Sequence, residues 1–398
     1  MYHVLEVQGY NRRAGSERHT AILSRRLAAR DWRVTVAAPP GGLLDDPGAL
    51  GNASFLPMPL AGRTDLASVL HLVRYCRNEE VDIVHTHCRN ADLLGGIAAL
   101  AARTLRFHLR PRLVTTIHGM LVNAEGVAGG DAVNRAHRRF LARFPDHLFG
   151  ISEAVSVNAS RVLRLPASRV TTIWNGTDPP SADQLIESNR LALSLRRSAD
   201  ELLLVQAGAL EPSKGADVLI AAVAELARCG HPVRLVLVGT GTWEPTLRGL
   251  VADSGLADRV TFPGAVPDAG IYLGAADVVC LASRWEGFGR VLTEAMSYGR
   301  AVVASRTGGI PEIVDDGVTG ILLEPDAVDA WVGALSALLL DPMRRARLGA
   351  RGRERFERLF HADTFAGATD NALRAVVSPS RPSRLEAALL DPPGVRSE

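Results

Sequence analysis

The chain has 398 residues, of which 47% are hydrophobic and 22% charged, with a formal net charge of +2. This is the composition of a folded globular protein and excludes a disordered or fibrous one; the length exceeds what one hydrophobic core supports, so two domains are expected. The four cysteines, Cys76, Cys88, Cys229 and Cys280, form neither a C-x-x-C pair nor a disulfide framework, which fits a reducing cytoplasm. No charged stretch precedes an apolar core at the N-terminus, so a secretory leader is not expected. The longest apolar runs, ADLLGGIAALAA and WVGALSALLL, fall short of the ~20 residues of a membrane-spanning helix.

In chain order, short apolar runs alternate with longer helical patterns. HVLEV (3–7) precedes the helical ERHTAILSRRLAARD; RVTVAAP follows, then DIVHTH (82–87), a small-residue helix, and RLVTTIHG (112–119). The alternation lapses at Trp174-Asn-Gly-Thr-Asp-Pro-Pro180. It resumes, after a polar helix, with ELLLVQAGAL, ADVLIAAVAELARCG, VRLVLVG, RVTFPG, ADVVCLAS, AVVAS and GILLE. Strands separated by helices imply right-handed crossovers and parallel sheets. The expectation is an α/β protein with two doubly wound, Rossmann-like domains facing across a cleft, 1–178 and 179–355, joined at a turn or hinge marked by Asn-Gly and Pro-Pro. Residues 356–378 are expected as a terminal helix packing back on the first domain, part of an amphipathic pattern over 353–376. The last segment, 379–398, is rich in Pro and Ser and is expected as a loosely held tail.

Charge is unevenly divided. Residues 1–178 hold 22 Arg against 15 Asp plus Glu, a balance of +7, and the remainder has a balance of −5. A basic half suits a phosphorylated acceptor or a membrane surface, while a solvated arginine-rich face explains any single cluster better. The 45 cations are 44 arginines and one lysine, Lys214. A compact ammonium and a planar guanidinium are not interchangeable, so the exception points to a site where only an ammonium fits.

Three glycine turns follow apolar strands. Arg284-Trp-Glu-Gly-Phe-Gly-Arg-Val-Leu-Thr-Glu294 follows Asp277-Val-Val-Cys-Leu281 and opens a helix, the arrangement in which backbone amides and a helix dipole cradle phosphate. Glu294, one turn in, suits ribose hydroxyls, and Glu286 suits the transferred sugar. Read alone, Glu294 also suits the helix dipole and Glu286 an exposed loop. In Gly208-Ala-Leu-Glu-Pro-Ser-Lys-Gly215, Lys214 suits a diphosphate, or is a surface lysine. The turn at Val238-Gly239-Thr-Gly241 is weak by itself.

With Glu286 and Glu294 forming an E-x7-E motif, the chain resembles the family-four retaining glycosyltransferases of GT-B fold. The likeness extends through Gly15-Ser-Glu-Arg-His19, Asp82-Ile-Val-His-Thr-His87, Thr116-Ile-His-Gly119, Ile173-Trp-Asn-Gly-Thr-Asp178, the Lys214 turn, Val260-Thr-Phe-Pro-Gly264 and Gly308-Gly-Ile-Pro-Glu312. The resemblance implies an acceptor-side first domain and a second domain that binds a nucleotide diphosphate sugar as co-substrate, with no other cofactor required. It implies catalytic roles for Glu286, His118 and Lys214, with Lys214 on the diphosphate, Glu294 on ribose and Glu286 on sugar hydroxyls. Gly15, Gly208, Gly239, Gly287, Phe288, Gly289, Arg290, Val291 and Leu292 are implied around the donor, largely through backbone, and Val266 at the base. His118 is implied across the cleft near the reacting carbon; without the resemblance, a hydrogen-bonded strand-end histidine fits equally.

Two positions depart from the family pattern. Ala209 stands where an arginine is usual, removing one of two phosphate-binding cations, for which Arg12, Arg13 or Arg290 are the candidate replacements. Trp174 stands where proline is common before Asn-Gly, a departure expected to alter hinge packing only. The resemblance implies that no metal is required, and consistent with this the chain contains no D-x-D pair and no His/Cys cluster with zinc spacing. The resemblance implies retention by front-face attack, the donor phosphate helping to deprotonate the acceptor. A dinucleotide oxidoreductase fails, since no G-x-G-x-x-G follows the first strand with an acidic residue about twenty positions on. A GT-B epimerase or phosphorylase and a non-catalytic nucleotide-sugar-binding subunit stay open. Nothing points to nucleic acid. The acceptor, whether lipid-linked, polysaccharide or small molecule, is not legible. The basic stretches Arg103 to Arg112 and Arg135 to Arg143, interleaved with Phe107, Leu109, Phe140, Leu141 and Phe144, suit either peripheral contact with the inner face of a membrane or amphipathic helices packed on the sheet.

Overall fold

The computed structural model describes residues 1–378 except 13–14, 47, 63, 106–110, 122–131, 197 and 199. The expected tail, Arg13, Phe107 and Leu109 thus lie outside the described residues.

The first half runs β1 (Tyr2–Gln8), α1 (Gly15–Ala28), β2 (Trp32–Ala38), β3 (Ser54–Pro57), α2 (Leu66–Asn78), β4 (Ile83–His87), α3 (Arg89–Leu105), β5 (Arg112–Ile117), α4 (Ala132–Arg143), β6 (His147–Gly150), α5 (Glu153–Leu163) and β7 (Val170–Thr172). Its seven strands form one parallel sheet in the order β3-β2-β1-β4-β5-β6-β7. Successive residues face opposite sides: Val4 packs with Leu23 and Leu27 of α1, while Leu5 and Val7 pack with Leu72 of α2 and Leu94 of α3. Burial on both faces is why these strands read as nearly unbroken apolar runs.

The second half runs α6 (Ala182–Leu195), β8 (Leu202–Ala207), α7 (Ala216–Arg228), β9 (Val233–Val238), α8 (Glu244–Asp253), β10 (Val260–Gly264), α9 (Ala269–Ala275), β11 (Val278–Leu281), α10 (Arg290–Ser297), β12 (Ala301–Ser305), α11 (Ile310–Ile313), β13 (Ile321–Leu323), α12 (Val328–Leu340), α13 (Pro342–Leu359) and α14 (Ala362–Val377). Its six strands are also parallel, in the order β10-β9-β8-β11-β12-β13. Strand order reverses between β1 and β4 in one sheet and between β8 and β11 in the other, and ligands of such sheets sit beyond the strand ends at those points. The doubly wound pair of sheets matches the expected fold class.

The single amphipathic helix expected over 353–376 is two helices, a correction of the 356–378 boundary. Residues 356–359 finish α13, whose Phe356 is fully buried among second-half residues such as Leu292 and Met296. Only α14 crosses back, with Phe365 and Leu373 in the core beside Val4 and Leu23 and with Asp370 accepting from Trp32 Nε1 at 2.7 Å. The break follows from pairing with the hinge: Thr177 N–H donates to Phe360 O at 2.9 Å and Ala362 N–H to Thr177 O at 3.0 Å. The two places where the chain passes between halves therefore brace each other. Among the described residues, no helix is long and apolar enough to cross a membrane.

Candidate active site

The lysine turn leaves β8 and is locked onto the end of β11. Gly215 has φ +63°, and a Cβ there would sit 2.0 Å from Ala282 O, so both conformation and space demand glycine. Arg284 clamps the turn from the other side, its N–H donating to Ser213 O at 2.9 Å and its guanidinium pairing with Asp217 at 2.7 Å and Asp326 at 2.8 Å. The turn after β9 nests against it, Gly208 N–H donating to Val238 O at 2.9 Å and Leu210 N–H to Thr240 O at 3.0 Å.

Glu286 Oε2 meets Lys214 Nζ at 2.5 Å, joining the two loops, and the Glu286 side chain is 18% exposed. The backbone beneath is held by the second Gly-Gly: Gly309 N–H donates to Glu286 O at 3.1 Å, and at Gly308, φ +52°, a Cβ would sit 1.8 Å from that oxygen. The Phe288 side chain is buried in the core against Phe360, which turns the Phe288–Gly289 backbone toward the cleft. Helix α10 then starts at Arg290, and the N–H groups of Arg290 and Val291, its first two residues, have no acceptor within the helix. Glu294 Oε1 lies 3.3 Å from Arg290 Nη2 and 3.7 Å from Arg18 Nη1, so the two cations hold its carboxylate across the cleft entrance.

The opposite wall contains a buried network that is scattered in the sequence. Glu6 is fully buried on β1 and its Oε2 lies 2.6 Å from His87 Nε2 and 3.0 Å from His85 Nδ1. Burial alone would raise the Glu6 carboxyl, yet the His85 and His87 rings hold it down at about 2. An ionised carboxylate only accepts, so His87 carries its proton on Nε2 and presents a lone pair at Nδ1. That atom lies 3.0 Å from His118 Nε2, which must therefore be the donor. His19 Nδ1 donates to Asn175 Oδ1 at 2.6 Å, leaving buried His19 Nε2 as an acceptor with no partner among the described residues. Burial, reinforced by the neighbouring rings, pushes His19 and His118 well below the ordinary histidine value; burial also lowers His87. All three rings are thus neutral near pH 7.

A cavity of about 680 Å³ lies between these walls. It is lined by Gly15, Gly208, Lys214, Gly239, Val266, Glu286, Phe288, Gly289, Arg290, Val291, Glu294 and His118, all expected from the sequence. Gly287 and Leu292 do not line it. Gly287 O instead accepts from Ser152 Oγ of the first half at 2.6 Å, and Leu292 is a fully buried core residue whose N–H donates to Gly289 O. Glu286 is not an exposed loop residue. Arg290 reaches the cavity where Ala209 supplies no cation; Arg12 does not, and Arg18, not anticipated although it lies within Gly15–His19, lines the wall instead. Trp174 does more than alter packing, since its Nε1 donates to Glu312 Oε2 at 2.8 Å. The same Glu312 carboxylate accepts from Glu153 N–H at 2.7 Å and Ala154 N–H at 2.8 Å, capping α5 from the other half. His19, His87 and His118 offer nitrogen atoms all within 4.8 Å of one another, a grouping made by folding rather than by spacing.

Beside His118 lies a second cavity of about 520 Å³ whose lining includes Arg89, Asp92, Asn134, His137, Arg138 and Trp285. Of the basic stretches, Arg103 pairs with Asp146 and Arg112 lies 3.1 Å from it, while Phe140 and Leu141 are buried in the core, the pattern of helices packed on a sheet.

The family described as "Glycosyltransferase Family 4" matches residues 13–180, and that described as "Glycosyl transferases group 1" matches residues 191–355. A D-inositol 3-phosphate glycosyltransferase of Stackebrandtia nassauensis is 38% identical over 237 residues, 55% of this chain and 52% of that protein, so the match spans about half of that relative's length. The D-inositol 3-phosphate glycosyltransferase of Xylanimonas cellulosilytica is 31% identical over 319 residues, 76% of this chain and 74% of that one. Anabaena Alr3699/HepE, solved in complex with UDP and glucose, has a similar fold, with TM-score 0.79 at 22% identity over 94% of this chain and 99% of that one. Since the two family matches divide the chain between its two halves and a 31%-identical relative is matched over most of both proteins, the chain belongs to the group 1, family 4 glycosyltransferases and has their GT-B fold.

Proposed function

We propose that the protein is a retaining, metal-independent glycosyltransferase that moves a sugar from a nucleotide diphosphate sugar to an acceptor hydroxyl. The observation that carries this reading is the convergence on one cavity of Lys214, Glu286, Glu294, Arg290 and Val291 with their amides at the start of α10 and, from the facing wall, His118. The diphosphate lies on those amides and on Lys214, with Arg290 as the second cation, and the ribose hydroxyls lie on Glu294. Charge growing on the leaving diphosphate is met by groups that need no reorganisation, so catalysis is electrostatic preorganisation together with positioning. In the free site Lys214 and Glu286 occupy each other. Donor binding draws the ammonium to phosphate and frees Glu286 to accept from sugar hydroxyls. The relay from Glu6 through His87 fixes the His118 tautomer, leaving its Nδ1 as an acceptor for a sugar or acceptor hydroxyl. The leaving phosphate takes the acceptor proton on the same face that the nucleophile attacks.

The acceptor enters from the second cavity, beside His118. The guanidinium groups of Arg89 and Arg138 there suit a phosphate-bearing polyol, a reading that the inositol-phosphate relatives support. A screen of UDP, GDP and ADP sugars, with and without inositol phosphates, read by mass spectrometry and by NMR of the product anomer, tests the reaction. Transfer with inverted stereochemistry, or donor epimerisation without acceptor, overturns it.

A further inference from the structure

We propose that His19, His87 and His118 form a binding site for a divalent transition-metal ion of the zinc class, and that its occupancy inhibits the enzyme. The inhibitory half rests on the function proposed above; the binding half does not.

The argument is one of lone pairs. Two of the three rings already donate their other N–H to an oxygen acceptor, His87 Nε2 to the Glu6 carboxylate at 2.6 Å and His19 Nδ1 to Asn175 Oδ1 at 2.6 Å. That is the arrangement that fixes tautomer and orientation in histidine metal ligands. It leaves His87 Nδ1 and His19 Nε2 as lone-pair atoms, the first accepting from His118 Nε2 and the second buried and unpartnered among the described residues. A buried imidazole nitrogen without a partner is costly. The third ring, His118, shares one proton between its Nε2 and His87 Nδ1 across 3.0 Å, and replacing that proton by a metal ion satisfies all three atoms. The other grouping, Glu6, His85 and His87, lacks this property, because on that side the two histidines present N–H groups already directed at the carboxylate.

Distances fit after small movements. Zinc–nitrogen bonds of ~2.0–2.1 Å place tetrahedral ligand atoms about 3.3 Å apart, against 3.0 Å between His87 Nδ1 and His118 Nε2 and no more than 4.8 Å between the nitrogen atoms that the three rings can offer, so the widest pair closes by about 1.5 Å at most. Since His118 lines both cavities, the ion enters from the cleft and its fourth position faces it. The consequence for transfer is chemical. A neutral imidazole bound through Nε2 carries its proton on Nδ1, so metal converts His118 Nδ1 from hydrogen-bond acceptor to donor and immobilises the ring.

Cobalt(II) is the probe, titrated into the full chain after chelator treatment and without any nucleotide sugar. One equivalent producing tetrahedral visible absorption, displaced by zinc, is expected. His19→Gln and, separately, His118→Gln should weaken binding at least about tenfold while the circular dichroism spectrum stays that of the wild type. Absence of the band in the wild type overturns the site, as does a wild-type-like titration in both folded variants. Zinc should suppress transfer and a chelator restore it; full activity in the metal-loaded protein overturns the inhibitory role. A cobalt band in a protein that transfers no sugar from any donor overturns the function proposed above and leaves the site standing.

Discussion

The two walls of the cleft solve one problem with different materials. The second half builds its wall from backbone: glycine turns at Gly208, Gly215 and Gly239, the open first turn of α10, and a few charged tips. The first half builds from buried side chains, with Glu6, His85 and His87 fully enclosed and His19 nearly so, and of that network His118 reaches the cavity. Both walls occupy the strand-order reversal of a parallel sheet. A backbone wall suits a polyanion, because amides offer partial positive charge without losing side-chain freedom. A side-chain wall suits a neutral sugar face, because hydrogen-bond direction there is set by tautomers that burial holds in place.

The sharpest way to break this contrast is Lys214→Ala, which removes the one side-chain cation of the lysine turn. The expected fall in kcat is roughly 100- to 1,000-fold, about 3 to 4 kcal/mol, with unchanged circular dichroism and little rescue by Lys214→Arg. If activity persists, the backbone wall suffices alone. On the other wall, Glu6→Gln should cost about 2 kcal/mol or more in urea denaturation and lower kcat roughly tenfold, with donor Kd unaltered, because the amide no longer dictates the His87 tautomer. A loss of donor affinity in Glu6→Gln would mean the walls do not divide the work.

Acidification probes the same wall without mutation. The folded-state pKa values of His19 and His118 lie below their ordinary value of 6.5, so the unfolded chain binds protons that the folded chain refuses. Stability is fully present above about pH 6.5 and is lost as pH falls below it; Glu6, held at about 2 against 4.5, adds a loss between those values. Thermal melts from pH 7.5 to 5 should show falling Tm, and His19→Gln should flatten the slope. The smallest effect belongs to the clasp between halves. Glu312→Gln weakens an α5 cap worth about 1 kcal/mol and should change kinetics by no more than roughly fivefold, seen mainly in KM.

Much of the second wall was legible because its parts are contiguous. Glu286 to Glu294 lie within one turn-and-helix, and Gly208 to Gly215 within one turn, so spacing alone conveys the cradle. Trp174 and Glu312 were each visible as motif positions, but their hydrogen bond links residues 138 apart. The division of the C-terminal pattern at Phe360 was also hidden, because it depends on backbone pairing with Thr177 rather than on periodicity.

What the sequence by itself determined is local: strand and helix alternation, the glycine turns, the single ammonium and the helix that begins at Arg290, all set by backbone geometry and hydrophobic period over a few residues. Only the tertiary structure decided the histidine network. Its members stand at 6, 19, 85, 87 and 118, four of them visible only as motif positions or strand residues of different elements, and become a relay because parallel pairing sets Glu6 of β1 beside His85 of β4 and α1 delivers His19 to the same point. Tautomers, lone pairs and depressed pKa values arise from mutual burial, and burial is a property of the assembled sheet.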